Sequence, residues 1–347
     1  MTTHEFYMKR CIELAKNGFG TTYPNPLVGS AIVHEGKIIG EGWHKKAGEP
    51  HAEVNAVNSI KDKSLLKEAT IYVSLEPCSH FGKTPPCCDL IIANEIPNVV
   101  IGTVDPFAKV AGNGIKKLIE SGKNVTVGIL EDECNELNKR FFTFHQKKRP
   151  YIILKWAETA DGFIAPVSKE EKAPVWITNP YSRQLVHKWR TEEQAILVGT
   201  NTVLEDNPKL DARDFSGNNP VRIVLDKSGK ISENYHVKNN LQKTIFITEN
   251  ENHISNENCI IENVIFDMHL ISSICNILYK NEIQSVIIEG GSLTLQSFLN
   301  ANLWDEARVF IGQTTFQNGT LAPTISGNPV ASFDIMNDEL KIFKNYD

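Results

Sequence analysis

Two α/β domains in one chain are what the sequence predicts, on three observations. Strand-like and helix-like segments alternate from one end to the other. The alternation is interrupted once by a charged run ending in proline, Lys147-Lys148-Arg149-Pro150. The 347 residues also exceed an ordinary small domain and suit two. The predicted boundary assigns residues 1–148 to a first domain and 149–347 to a second.

Local pattern predicts each element. His4–Asn17 reads as a helix stopped near Gly18. Leu27–His34 and Lys37–Glu41 read as a strand pair turning at Glu35-Gly36. His51–Ile60 reads as a helix, Thr70–Leu75 as a strand and Cys87–Glu95 as a helix. Asn98–Thr103 and Asn124–Val127 read as short strands around a helix at Gly114–Glu120, and Glu131–Gln146 as one closing helix. Beyond the boundary the order restarts with Tyr151–Trp156, a helix over Pro180–Trp189, then Ala195–Val198, Val221–Leu225, Thr244–Thr248, Ser285–Ile288, Leu293–Asn300 and Arg308–Ile311. Glu249–Glu262, rich in Asn and Glu, reads as variable surface.

Composition excludes several classes. A hydrophobic share of 41% and a charged share of 22% fit a soluble globular protein with two cores. The net charge is −6. Up to Lys148 there are 18 basic and 17 acidic residues, and beyond it 18 and 25. Neither half has the basic excess of a nucleic-acid binder. No apolar run approaches the roughly 18 residues that span a bilayer. The polar start Met1–Arg10 lacks the apolar stretch of a secretory signal. The expectation is a cytoplasmic protein with neither nucleic-acid nor membrane partner. Cys87 and Cys88 are adjacent and the cysteine count, seven, is odd. In a reducing compartment clustered Cys and His suggest metal before disulfides.

The strongest chemical signal is His51-Ala52-Glu53 followed by Pro77-Cys78 and then Cys87. His, Cys and Cys can hold one zinc ion and leave a fourth position for water, as a catalytic zinc requires. Glu53, two residues past His51, can reach that water without being a ligand and carry a proton to a leaving amine. Zinc deaminases carry the pattern H-x-E…P-C-x-x-C. Here eight residues, Ser79 to Pro86, separate the two cysteines and must loop out before Cys87 opens a helix. Cys88 is the obvious fourth ligand for a purely structural zinc, but helix neighbours point about 100° apart and rarely share one ion.

Four runs make the resemblance specific: Tyr23-Pro24-Asn25-Pro26-Leu27-Val28-Gly29, Gly42-Trp43-His44, His51-Ala52-Glu53 and Glu76 through Cys87 with its long spacing. The sequence resembles the bifunctional deaminase–reductase family of riboflavin biosynthesis. That resemblance implies a cytidine-deaminase-like first domain acting on a diaminopyrimidinone with a ribosylamino phosphate. Asn25, His44, His80 and Lys83 would contact it. Asp105-Pro106-Phe107-Ala108 falls on the family's loop, with Phe107-Ala108 where many members have Asn-Pro.

The second half lacks G-x-G-x-x-G after a strand. Its best local clue is Glu289-Gly290-Gly291, where glycines let a phosphate approach the main chain at a helix N-terminus. Lys155-Trp156-Ala157, Trp176-Ile177-Thr178, Arg190, Asp206-Asn207-Pro208 and Arg213 fall in the family's order. The resemblance implies a dihydrofolate-reductase-like domain that reduces ribosyl to ribityl with NADPH. Ala157, Trp176, Thr202, Asp206 and the loop Gly291-Ser292-Leu293 would hold the cofactor, with Lys227 near its 2′-phosphate. Arg190, Leu210, Arg213 and Glu289 would hold the substrate. Pro174 stands near a place where the family often has a small hydroxyl residue. The expected partners are the pyrimidine ribosyl phosphate and further copies of the chain as a homo-oligomer. Two rival readings are a base deaminase acting on nucleic acid, against which the balanced charge and long insert argue, and a zinc-stabilised scaffold without turnover.

Overall fold

A computed structural model describes residues 1–81, 85–107, 111–169, 173–250 and 257–346. The chain divides into two compact units, Met1–Lys148 and Arg149–Asp347. Among the described residues no helix is long and apolar enough to cross a membrane.

The first unit is one sheet between two helical layers. Its strands are β1 (Gly29–His34), β2 (Lys37–Trp43), β3 (Thr70–Leu75), β4 (Asn98–Thr103) and β5 (Asn124–Val127), in the order β2-β1-β3-β4-β5. β1 runs antiparallel to β2 and β3, and β3, β4 and β5 run parallel. The two-residue period sorts side chains to opposite faces. Ile32, Ile71, Val73, Val99 and Ile101 pack with α2 (Ala52–Ser59), α3 (Cys87–Ala93) and α4 (Asn113–Glu120). Ala31, Val33, Tyr72 and Val100 pack with α1 (Thr3–Ala15) and α5 (Glu131–Leu137). A capping box starts α1: Glu5 N–H donates to Thr2 Oγ1 and Thr2 N–H to Glu5 Oε2.

The run expected as a single closing helix is two, α5 and α6 (Lys139–Lys147). They break at Asn138, which is 2% exposed. Its side chain accepts from Leu27 N–H at 2.8 Å and donates to Leu27 O at 2.9 Å, completing the hydrogen bonds of a distant buried peptide.

The second unit is built on a sheet of order β11-β10-β9-β8-β12-β6-β13-β16-β15. In chain order its elements are β6 (Tyr151–Glu158), β7 (Phe163–Pro166), α7 (Pro180–Glu192), β8 (Ala195–Gly199), α8 (Thr200–Asp206), β9 (Val221–Leu225), β10 (Thr244–Thr248), β11 (Cys259–Asn263), α9 (Leu270–Lys280), β12 (Ser285–Ile288), α10 (Ser292–Asn300), β13 (Glu306–Ile311), β14 (Gly319–Leu321), β15 (Ala331–Ile335) and β16 (Asp338–Lys344). From β11 to β13 neighbours pair in parallel, whereas β16 and β15 add an antiparallel edge. β7 pairs with β14 outside this sheet. Ile152, Leu154, Leu197, Val286 and Ile288 face α9 and α10, and Ile196, Val198 and Val224 face Val203 of α8. The segment expected as variable surface contributes the edge strand β11 at its end; residues 251–256 lie outside the described ones.

Candidate functional site

In the first unit, His51 is the N-cap of α2, yet its side chain makes no capping bond. It turns to two sulfurs instead. Nδ1 lies 3.6 Å from Cys78 Sγ, in the turn after β3, and 3.3 Å from Cys87 Sγ, at the start of α3. All three candidate ligand atoms lie within 4.8 Å of one another. With usual Zn–S and Zn–N lengths, a tetrahedral site has an N···S edge of about 3.5 Å. The donor set and its spacing therefore fit zinc. The Cys87 thiol, donating to Cys78, holds the Cys78 thiol down to about 4, with His51 adding to the effect against burial. That same contact and burial push Cys87 well up. Cys88 points away, toward Pro77 O and Gly114 O at 3.3 and 3.5 Å.

Glu53, in the first turn of α2, is 3% exposed and faces the Cys87 thiol. Burial raises its pKa, and His51 opposes the shift. That favours a carboxyl group that takes up a proton more readily than an exposed glutamate. His44 is buried beside His51, with ring centroids 5.3 Å apart. Its Nδ1 lies 3.2 Å from Pro50 O, which can only accept, so Nδ1 carries the hydrogen. Nε2 then accepts from Asn25 Nδ2 at 3.0 Å. Burial, with His51 nearby, lowers the His44 pKa, which favours the neutral ring. The structure thus gathers Asn25, His44, His51, Cys78, Cys87 and Glu53. His80 is exposed in the turn after Cys78, and Lys83 lies outside the described residues.

The second unit holds a cavity of about 1250 Å³, larger than a usual single-ligand pocket. Ala157, Gly199, Leu225 and Glu289 bring the C-terminal ends of β6, β8, β9 and β12 to it, where open α/β sheets bind ligands. Gly291, at φ 61, turns the chain into α10, so Ser292 and Leu293 also line the cavity. A Cβ on Gly290 would meet Val198 Cβ at 2.8 Å. Thr202 and Asp206 of α8 line the same space, and Asp206 is ion-paired with Lys169. Trp176, half exposed, carries the Arg183 guanidinium 4.9 Å from its ring centroid.

At the deep end, Arg190 of α7 donates from Nε and Nη2 to the two Glu289 oxygens at 3.0 and 2.7 Å, and from Nη1 to Asp211 O at 2.9 Å. Lys155 Nζ lies 3.8 Å from Glu289. Burial acts to raise the Glu289 pKa, but Arg190 and Lys155 outweigh it and hold the group at about 2. Burial, aided by Arg190, lowers the Lys155 pKa. Leu210 is buried at φ 55, and Arg213 pairs with Asp211 at 2.6 Å; both line the cavity. Lys227 is not among the lining residues; its ammonium lies 3.6 Å from Glu249.

The comparisons agree with this geometry unit by unit. The model described as "Cytidine and deoxycytidylate deaminase zinc-binding region" matches residues 1–103, and "RibD C-terminal domain" matches 150–327. The Aquifex aeolicus riboflavin biosynthesis protein RibD is 41% identical over 97% of this chain and 93% of its own length. The chain belongs to the RibD family. The Escherichia coli RibD is 37% identical over 88% of this chain and 87% of its own. A Thermotoga maritima crystal structure, described as a diaminohydroxyphosphoribosylaminopyrimidine deaminase and 5-amino-6-(5-phosphoribosylamino)uracil reductase, superposes with TM-score 0.87 at 39% identity, covering 99% of this chain and 98% of that one. An Acinetobacter baumannii RibD gives TM-score 0.89 at 30% identity, with the same coverage. This chain is accordingly a bifunctional deaminase and reductase of riboflavin biosynthesis, with a zinc-binding deaminase domain and a reductase domain that implies a nicotinamide cofactor.

Sequence reasoning missed several residues at the RibD reductase cavity. Lys155 appeared only as part of a motif. Arg183 and His187 also line the cavity, and His187 is 2% exposed with Nδ1 making no hydrogen bond. The available signal was spacing: residues 183, 187 and 190 share one face of α7. Pro174 lines the cavity as well, without a hydroxyl. On the deaminase side, Phe107 packs on His145 at 5.0 Å between ring centroids, an apolar use of its position.

Proposed function

We propose that residues 1–148 carry out zinc-dependent hydrolytic deamination of 2,5-diamino-6-ribosylamino-4(3H)-pyrimidinone 5′-phosphate. Residues 149–347 then reduce the ribosyl side chain to ribityl with NADPH. The observation that carries the reading is the convergence of His51, Cys78 and Cys87 beside the buried Glu53. Zinc bound by those three residues supplies Lewis acidity that brings the pKa of water toward neutrality. Glu53 takes the proton of the attacking water and returns it to the departing amine. Asn25 and the neutral His44 hold the ring, with His80 and Lys83 toward the ribosyl phosphate.

In the reductase, NADPH supplies the hydride that reduces the open-chain imine of the ribosylamine. Ala157, Trp176, Thr202, Asp206 and Gly291 to Leu293 hold the cofactor. Arg213 is the better-placed phosphate ligand, because it is half exposed at the cavity whereas Arg190 is already engaged by Glu289. Glu289, Arg190 and Leu210 hold the sugar end. Lys227, away from the cavity lining, adds no support for the 2′-phosphate.

The test supplies the diaminopyrimidinone with and without NADPH and identifies products by mass. Without NADPH the product should lose one amino group as ammonia and gain an oxygen. With it, that product should gain two hydrogens. An unchanged substrate in both arms, or equal use of NADH, would remove the corresponding assignment. A second measurement addresses the ligands: Cys78→Ser and Cys87→Ser should each abolish the roughly one zinc per chain, and Cys88→Ser should retain it. Metal lost from Cys88→Ser but kept by Cys87→Ser would reverse the ligand assignment.

A further inference from the structure

Glu76 directly follows β3, its N–H donating to Thr103 O at 3.0 Å, and the residue is 4% exposed. Its carboxylate accepts four main-chain N–H groups. Oε2 takes Asp105 N–H at 3.3 Å and Gly112 N–H at 2.9 Å; Oε1 takes Gly114 N–H at 2.8 Å and Ile115 N–H at 3.3 Å. Three of these donors belong to the N-cap and first turn of α4, where a helix leaves its N–H groups without partners. The fourth belongs to the segment leaving β4. One side chain thus ties two points of the loop between β4 and α4 to the residue just before Pro77-Cys78.

We propose that Glu76 is a positioning residue of the deaminase site, fixing the Cys78 turn, Asp105 and the start of α4 against one another. The joint has no slack. A Cβ on Gly114 would lie 2.1 Å from Pro77 O, and Cys88 Sγ sits between Pro77 O and Gly114 O. Displacing α4 therefore displaces the turn that presents Cys78. The inference rests on reading the first unit as a zinc deaminase.

Glu76→Gln tests it, because glutamine keeps the size but turns an NH2 toward two of the four donors. The full-length, zinc-loaded protein is used. Zinc transfer to a chromogenic chelator and the steady-state kinetics of deamination are measured. Reduction of pre-deaminated substrate and circular dichroism monitor folding. The expected result is zinc release at least about tenfold faster and a deaminase kcat about 10- to 100-fold lower, with reduction unchanged. Glu76→Asp, which keeps both oxygens, should recover part of each. Release and kcat within twofold of wild type in Glu76→Gln would overturn the proposal, as would an aspartate variant no better than the glutamine one. If Glu76→Gln fails to fold, Glu76→Asp decides: release intermediate between wild type and a tenfold increase supports the proposal, and wild-type values in both measurements overturn it. A wild-type chain without zinc or deamination would instead sink the underlying reading of the unit.

Discussion

Replacing Glu53 with glutamine should leave zinc bound and cut deamination by at least about 10²-fold. The ligand set is untouched, since His51, Cys78 and Cys87 supply the metal-binding atoms. Glutamine fills the same space but cannot accept and return a proton. At 3% exposure the position gives bulk water little opportunity to substitute. Zinc content and ammonia release, measured on one preparation, separate the two effects. Reduction of pre-deaminated substrate should remain at the wild-type rate. A Glu53→Gln protein that deaminates normally would mean that another group moves the proton.

Arg190→Ala should destabilise the second unit by about 3–5 kcal/mol, because it strands a buried carboxylate. Arg190 and Glu289 are only 12% and 8% exposed, and Arg190 gives both Nε and Nη2 to that one partner. Lys155, at 3.8 Å, compensates poorly. Denaturant unfolding followed on the second unit's transition would read the loss, and an unchanged midpoint would show the pair to be dispensable. The acid response has a definite sign. Glu289 is held at about 2, below the ordinary carboxylate value of about 4.3. Its contribution is full above the ordinary value and is lost as pH falls toward 2. Arg190→Ala should therefore be less sensitive to acid in that window, having already lost the interaction.

The zinc constellation was legible because its main signals are local: His51 and Glu53 share one helical turn, and Cys78 and Cys87 flank one insert. The sheet cores were legible because the near-continuous apolar runs of Thr70–Leu75 and Ala195–Val198 mark strands buried on both faces. Long-range partners were not. Arg190 reads in sequence as a substrate ligand, and nothing near it announces Glu289, 99 residues away. Glu131–Gln146 reads as one helix because its apolar residues keep helical period. The break comes from Leu27, whose peptide recruits Asn138 across 111 residues. The Arg183, His187 and Arg190 face was present as spacing, but only the fold reveals that it meets a cavity rather than a core.

The clasp between Asn138 and the Leu27 peptide sets the minimum length of a self-sufficient first half. The matched deaminase region ends at residue 103, which suggests that a fragment could stop there. Such a fragment would keep His51, Cys78 and Cys87 yet lose the side chain that pairs the N–H and C=O of Leu27, two residues from Asn25. Each hydrogen bond lost costs about 0.5–1.5 kcal/mol. Asn138 is therefore a keystone for the loop that carries Asn25, and a workable excision of this half has to run beyond α5 to keep it.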